Sequence, residues 1–378
     1  MKEKNYEIGF VGLLFSIGIF VYNSMYLDAA NGNPRIFAKG YLGVEFFFMV
    51  SGYLMAMSIL KMKNNNIEMD HFQFVKRKAI SLYPYFLIAY VLNFIVWNFV
   101  VDSRDLSDVI KSAVFSVGEL SLLFTSGIKF TNHLIHGAAW YVSAMLIATF
   151  VLFPIMKKDL KKFTAYIAPV ISLFCYGFLS NNVKQLSSYD KWLYFATEGV
   201  LRAFAGLSLG AVVFAVCQSI EKSDRRLSGF GTYAVSAVEI VIPVTICVLM
   251  GYRKVSEFEI SVDFMVITLS FLLLIIIFSK AGRFHKVFSN KVFGWLSKLA
   301  LPLYFSHRVW TRFISAVFPE MNFIPMFALY TVLSFATAAL MIPAARLVEI
   351  TGKSLKDKLI AEKRADASER QTDVAKGE

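Results

Sequence analysis

The sequence is poor in charged residues, which make up 17% of its 378 positions. Soluble proteins carry about 25%, so too few polar side chains are present to cover a surface in water. Cysteine, proline and glycine are also sparse, with 3, 9 and 21 residues. This scarcity excludes a disulfide-stabilised domain, a low-complexity disordered chain and a collagen-like repeat. The cysteines, Cys175, Cys217 and Cys247, lie in apolar runs without metal-ligand spacing, which indicates small core residues and no bound metal.

Apolar and aromatic residues are abundant instead. Hydrophobic residues make up 57% of the chain and aromatic residues 16%, and the mean hydropathy is +0.57. A run of about 20 apolar residues can cross a bilayer as a helix. Ten such runs occur, at 8–28, 40–60, 82–101, 137–156, 163–180, 200–218, 230–250, 262–279, 293–314 and 325–345. The sequence therefore predicts an all-α, polytopic membrane bundle of about ten transmembrane helices, with most aromatic side chains facing lipid or the membrane interface.

The basic residues indicate the orientation of these spans. An eleventh run, 109–128, is weaker because it contains Lys111, Glu119 and several serines. If it does not cross and the N-terminus is cytoplasmic, two thirds of the 39 Lys and Arg residues fall on the cytoplasmic side. Basic residues collect in cytoplasmic loops, so we expect both termini in the cytoplasm and 109–128 in the interface or re-entering. The net charge of +12 then reflects orientation in the plasma (inner) membrane and predicts no nucleic-acid partner.

The organisation predicted from these patterns is simple. A transmembrane domain is expected over residues 1–349, followed by a polar, mobile cytoplasmic tail over 350–378. The spacing gives no sign of an internal repeat or a soluble domain. The oligomeric state is left open.

Polar and ionisable residues inside the spans mark pairs, pathways or sites, because they are costly in a membrane. Several share the outer half of the predicted bundle: Asn23, Glu45, Trp140, Ser143, Arg202, Tyr304, His307 and Arg308. Tyr304, His307 and Arg308 are spaced i, i+3 and i+4 and therefore share one helix face. Glu239, near the middle of its span, needs a cationic partner, for which Arg202 or Lys298 is the nearest in type.

Span 1 carries a stripe of small and polar residues at Gly9, Gly12, Ser16 and Asn23. Small residues allow two helices to approach closely in a membrane. We therefore interpret this stripe as a packing surface in preference to a catalytic face.

Five stretches carry a resemblance to a known family. They are GYLGVEFFFMVSGYL at 40–54, FVKRKAISLYPYF at 74–86, AAWYVSAMLIATFVLFP at 138–154, LRAFAGLSLG at 201–210 and LSKLALPLYFSH at 296–307. Together they resemble the membrane acyltransferase-3 family, integral-membrane enzymes that O-acylate cell-surface sugars. The resemblance covers about residues 8–345 and implies ten spans. It also implies an acyl-CoA donor such as acetyl-CoA, supplied from the cytoplasm, and an acceptor hydroxyl on a lipid-linked or exported polysaccharide of the bacterial cell envelope.

The chain departs from the family pattern at three positions. Family members place an Arg in span 1 and a His eleven residues later, where this chain has Gly12 and Asn23. Before the Tyr-Pro pair of the third span the family has Arg-x-x-Arg, and this chain has Lys78 and Ser81. Asparagine cannot take up a proton at neutral pH, although it can hydrogen-bond a substrate or an oxyanion.

Three functions remain open from the sequence. In the first, the protein is an O-acyltransferase that binds no resident cofactor and uses another base. The predicted site is His307, Asn23, Glu45 and Arg202 for catalysis, Ser51, Trp140, Ser143, Tyr304 and Arg308 for substrate, and Arg77 and Lys78 for the donor phosphates. In the second, the chain kept the fold, lost the chemistry and serves as a binding or regulatory partner. In the third it is a transporter, which the lack of a repeat between its halves disfavours.

Overall fold

The computed structural model of the chain describes residues 6–27, 36–128, 134–223, 228–251 and 259–376. It is 84% helical. The strands within the described residues form a single antiparallel hairpin, β1 (Trp192–Leu193) and β2 (Ala196–Thr197). The predicted all-α membrane bundle is confirmed.

Thirteen α-helices make up the described chain. They are α1 (Glu7–Asn23), α2 (Gly43–Asn64), α3 (His71–Ile95), α4 (Leu106–Ser116), α5 (Trp140–Lys158), α6 (Leu160–Lys162), α7 (Ala168–Asn182), α8 (Glu198–Lys222), α9 (Gly229–Gly251), α10 (Glu259–Ser279), α11 (Lys291–Leu296), α12 (Ala300–Val317) and α13 (Phe323–Lys376). A π-helical turn at Phe163–Ile167 joins α6 and α7 into one segment. The backbone of α13 stays helical through most of the predicted tail, whose mobility remains a prediction.

Nine helical segments of the described chain are long and apolar enough to cross a membrane, and they match nine of the ten predicted spans. The remaining predicted span, 293–314, consists of α11 and α12, separated by a 3-10 turn at Ser297–Leu299. The two arginines of α12, Arg308 and Arg312, make this helix less apolar than the other nine segments. This helix packs against α1, α3 and α13, so protein surrounds much of it, in keeping with the cost of a charge in hydrocarbon.

Successive spans alternate in direction, so their termini gather at two ends of the bundle. At the end that we call the basic end, α2 and α5 finish and α3 begins, and Nζ of Lys157 donates to the carbonyl of Met69 at 2.9 Å. At the end that we call the cleft end, α2 begins and α9 finishes. There the N–H of Lys39 donates to the carbonyl of Met250 at 3.0 Å.

The weak run at 109–128 does not form a span. Its helix α4 gives way to short turns, and Leu122 adopts a left-handed conformation (φ 56°) that interrupts the helical run. The buried carboxylate of Glu119 accepts hydrogen bonds from the N–H groups of Ile135 at 2.5 Å and His136 at 3.0 Å. The segment is thereby tied to the residues that precede α5 at the cleft end, as expected for a segment that does not cross.

Helices α2 and α8 meet through glycine. The backbone of Gly52 lies against the carbonyl group of Leu207, and that of Gly210 lies against the carbonyl group of Met49. A Cβ atom at either glycine would overlap the carbonyl oxygen, so only glycine permits this approach. The contact brings the buried charges of the two helices together at the cleft end.

The small-residue stripe of α1 packs against the start of α12. Gly9 lies against Ser297, and Oγ of Ser16 donates to the carbonyl of Ala300 at 2.9 Å. Both contacts depend on the short side chains of α1. They support the interpretation of the stripe as a packing surface at Gly9 and Ser16, whereas Asn23 at its far end lines a cleft.

Candidate functional site

A cleft of about 80 Å³ opens at the cleft end, between α1, α5, α12 and the loop that follows α7. Aromatic and polar side chains line it, including Tyr22, Asn23, Tyr26, Tyr41, Trp140, Tyr189, Tyr304, His307 and Arg308. Five residues that the sequence predicted for the site meet here: Asn23, Trp140, Tyr304, His307 and Arg308. They come from three helices that are far apart in the chain.

His307 lines the cleft with a buried imidazole ring. Its Nδ1 lies 3.1 Å from the carbonyl oxygen of Leu303. Because a carbonyl oxygen only accepts, Nδ1 carries the proton and Nε2 carries the lone pair. Nε2 is buried and has no hydrogen-bond partner among the described residues. An imidazole in this tautomer can take up a proton at Nε2.

Arg308 and Asn23 form a polar pair across the cleft. Nη1 of Arg308 donates to Oδ1 of Asn23 at 3.3 Å, and the guanidinium lies 4.5 Å from the ring centroid of Tyr26. The amide nitrogen of Asn23 donates to the carbonyl of Ile19 at 2.8 Å. Asn23 therefore orients Arg308, and its second amide N–H is left for a ligand.

Trp140 forms part of the cleft wall and is held between two planar groups. The guanidinium of Arg202 lies 4.9 Å from its ring centroid, and the ring of Tyr189 stacks on it at 5.3 Å and 11°. Tyr189 belongs to the loop between α7 and β1. Burial raises the pKa of Tyr189, so its hydroxyl stays protonated and can donate a hydrogen bond.

Glu45 and Arg202 lie behind this wall and do not line the cleft. Nε of Arg202 is 2.6 Å from Oε1 of Glu45, and both side chains are 1% exposed. The hydroxyl of Tyr176 donates to Oε2 of Glu45 at 2.7 Å, and Nη1 of Arg202 donates to the carbonyl of Ser188 at 2.9 Å. The sequence had suggested Arg202 or Lys298 as the cationic partner of Glu239. In the structure the carboxylate partner of Arg202 is Glu45.

Ser143 also lies away from the cleft. Its fully buried Oγ is 2.7 Å from Oγ1 of Thr125 and accepts from the N–H of the same residue at 3.2 Å. These bonds tie the 3-10 turn at Phe124–Ser126 to α5. The structure therefore places this predicted substrate-binding residue in a contact between two parts of the chain.

A second cavity, of about 380 Å³, lies between α2 and α3 toward the basic end. Ser51 lines its deepest part along α2, and Arg77 and Lys78 line it from the first turns of α3. The rest of the wall is mostly apolar: Leu54, Met55, Ser58, Met62, Met69 and Phe74. The structure thus brings together the three predicted residues Ser51, Arg77 and Lys78, away from the other candidates.

Tyr141 stands between the second cavity and the cleft. Its hydroxyl is 3.1 Å from Oγ of Ser51, and its ring meets the ring of Tyr304 edge-on at a centroid distance of 5.9 Å. The hydroxyl of Tyr304 donates to the carbonyl of Ala138 at 2.6 Å. Because Ser51 lines the second cavity and Tyr304 lines the cleft, the side chain of Tyr141 separates the two.

Three residues near the cleft carried no sequence prediction. Tyr141 adjoins the predicted Trp140, but nothing in the sequence distinguishes it from the many aromatic residues expected to face lipid. Tyr189 lies in a loop, where no periodic pattern could indicate it. Arg312 continues the spacing of Tyr304 and Arg308 by four more residues, which was a usable signal. Nη1 of Arg312 donates to Oδ1 of Asn93 at 3.2 Å, which ties α12 to α3. The described part of the chain groups no three His, Cys, Asp or Glu side chains as metal ligands.

Comparison with known proteins identifies the chain over most of its length. The family model of the acyltransferase-3 domain matches residues 11–343. The match includes all five stretches on which the resemblance was based. The chain finds no match among curated proteins or among solved structures.

Proposed function

The chain belongs to the acyltransferase-3 family of membrane acyltransferases, and on that premise we propose that it is an O-acyltransferase of cell-envelope glycans. The donor in this proposal is acetyl-CoA or a related acyl-CoA, which enters from the cytoplasm. The acceptor is a hydroxyl group of an exported polysaccharide or of its lipid-linked precursor. The protein then lies in the plasma membrane with its basic end in the cytoplasm, where basic loops collect.

One observation carries the proposal: two cavities approach each other from opposite ends of the bundle and are separated by Tyr141. The second cavity, which reaches Ser51, begins on the basic side where a soluble thioester is available. The cleft, which reaches Tyr304, begins on the other side, where an exported glycan is found. An enzyme that passes an acyl group across a membrane needs this arrangement of donor and acceptor sites.

The donor fits the second cavity by its chemistry. The phosphates of coenzyme A are anionic and would meet Arg77 and Lys78, which attract them as charged donors. The narrow arm of the cofactor suits the mostly apolar wall. The thioester would then lie next to Ser51 and Tyr141, at the end of the cavity nearest the cleft.

The acceptor site supplies the base. In this proposal the side chain of Tyr141 moves aside, the acceptor hydroxyl gives its proton to Nε2 of His307, and its oxygen attacks the thioester carbonyl carbon. The carbon–sulfur bond then breaks, the ester remains on the glycan, and the coenzyme A thiolate takes up the proton. The second amide N–H of Asn23 and the guanidinium of Arg308 lie in the same cleft and can stabilise the oxyanion. Trp140 and Tyr304 line the cleft and offer ring edges to the sugar.

A His307→Ala variant tests the proposal. Loss of a general base lowers the rate by roughly 10²–10⁴-fold, so we expect acetyl transfer from labelled acetyl-CoA to the glycan to fall by that factor. His71→Ala is the matched control, because His71 begins α3 at the basic end. Wild-type transfer by a folded His307→Ala protein would contradict the role.

The alternative, a family member with impaired chemistry, is favoured by one feature, the Asn23 that replaces the family histidine. An Asn23→His variant addresses it, and Gly12 is best left unchanged because a Cβ there would lie 3.3 Å from the Phe47 ring. Under our proposal the wild type already transfers acyl groups and Asn23→His brings no gain. A wild type without transfer that gains it with Asn23→His would favour the binding or regulatory role.

A further inference from the structure

A third cavity lies at the basic end and has no role in the proposal so far. It has a volume of about 640 Å³ and lies between the last turns of α2 and α5 and the loop that joins α2 to α3. Four lysines line it: Lys63, Lys157, Lys158 and Lys161. Its volume lies in the range of about 300–1,000 Å³ that is typical of small-molecule sites.

More lysines line this cavity than membrane insertion alone would require. Basic residues gather at the cytoplasmic ends of spans for reasons of insertion alone, and the run at 157–162 is an instance. Three of its four lysines line the cavity and Lys162 does not. Two carboxylates, Asp159 and Glu68, also line the cavity, and Asp159 pairs with Lys162 at 3.8 Å, so the four lysines of the lining outnumber its acidic residues by two. The result is a concave surface with an excess of positive charge.

The third cavity adjoins the second. Met62 lines both, and Met69 of the second follows directly on Ile67 and Glu68 of the third. From Lys63 the helix α2 runs twelve residues to Ser51, which is about 18 Å at 1.5 Å per residue. A ligand that fills both cavities therefore has an anionic head at the mouth, a long narrow body, and an end next to Ser51.

We propose that the third cavity binds the phosphorylated nucleotide of the acyl-CoA donor, with Lys63, Lys158 and Lys161 as the residues that contact its phosphates. This inference rests on the proposed function. Lys157 donates to the Met69 carbonyl and holds the loop that forms one side of the cavity. The pyrophosphate that joins the nucleotide to the arm then lies toward Arg77 and Lys78, and the arm follows α2 to Ser51. An anionic phospholipid of the cytoplasmic leaflet shares the chemistry of a phosphate head on a long chain, and the experiment separates the two.

The test is the affinity of full-length protein for coenzyme A, measured by calorimetry in nanodiscs of neutral phosphatidylcholine. Two exposed charge pairs with the phosphates are lost, so we expect Lys158→Glu with Lys161→Glu to weaken binding roughly tenfold. Acetyl-pantetheine lacks the nucleotide, and its turnover should be the same in wild type and variant. The matched control is Lys162→Glu with Lys222→Glu, which makes the same charge change at the same end outside the cavity.

Each other outcome overturns the inference. Equal coenzyme A affinity in wild type and the Lys158/Lys161 variant would show that the third cavity does not bind the nucleotide. An equal loss in the control variant would show a general surface charge effect. Retention of phosphatidylglycerol by the wild type but not by the variant, with coenzyme A affinity unchanged, would assign the cavity to lipid. A wild type that neither binds coenzyme A nor transfers acyl groups would instead refute the proposed function itself.

Discussion

Glu45→Gln tests whether the buried pair of Glu45 and Arg202 positions the cleft wall or takes part in the chemistry. Glutamine keeps the shape of the side chain and removes its charge. The change leaves the guanidinium of Arg202, 1% exposed and 2.6 Å from the former carboxylate, without its counter-ion. It also weakens the bond from the hydroxyl of Tyr176, since a charged acceptor is replaced by a neutral one.

The expected cost is large relative to the stability of a folded protein. Removing one partner of a buried ion pair costs about 3–5 kcal/mol, whereas folded proteins are stable by about 5–15 kcal/mol. The double variant Glu45→Gln/Arg202→Met removes the uncompensated charge as well, so it should be more stable than Glu45→Gln alone. Tyr176→Phe removes one hydrogen bond to a charged group and should cost about 1.5–3 kcal/mol.

The assay pairs the thermal unfolding midpoint of the purified protein with acyl transfer by the same preparation. We expect Glu45→Gln to lower both, because the pair holds Arg202 against Trp140 and thereby fixes the cleft wall. A Glu45→Gln protein with an unchanged midpoint and no transfer would make Glu45 a reacting group. A double variant no more stable than the single one would refute the ion pair as the cause.

Three further changes test the barrier, the helix contact and the orientation. Tyr141→Ala should join the two cavities and therefore raise the hydrolysis of acetyl-CoA without acceptor, measured as thiol release. Tyr141→Phe should change this hydrolysis little. Equal hydrolysis in the two variants would contradict the role of Tyr141 as a barrier. Gly210→Val should prevent folding, seen as loss of monodisperse protein, whereas Gly177→Val, with open space around its Cβ position, should fold. In a cysteine-free background, Leu160→Cys should resist an impermeant reagent added outside intact cells and Asp190→Cys should react; the reverse result would invert the orientation.

The fold could be predicted from the sequence because span formation is a local property. Apolar length alone located nine spans, and the distribution of basic residues among the loops predicted that 109–128 would not cross. The break in the span at 293–314 was missed, since the turn at Ser297 lies inside an apolar run and depends on packing against α1. The cysteines show the same limit: Cys217 is buried, whereas Cys247 is exposed on its helix, because an apolar run does not reveal which face meets lipid.

The site was predictable where helix spacing decides it and unpredictable where helix contacts do. The i, i+3 and i+4 spacing of Tyr304, His307 and Arg308 placed three side chains in one cleft. The pairing of Glu45 with Arg202 joins residues 157 positions apart and follows from the glycine contact of α2 with α8. A shared depth in the membrane therefore grouped these two charges with the cleft, although they lie behind its wall.

The replacement of the family histidine by Asn23 is consistent with a base on α12. Asn23 and His307 line the same cleft, so a base on either helix reaches the same acceptor. Arg308 donates to Oδ1 of Asn23 at 3.3 Å, which a neutral amide accepts without cost. Asn23 is therefore compatible with the charge of Arg308. Nε2 of His307 has no hydrogen-bond partner among the described residues and is the nitrogen that remains available to accept the proton.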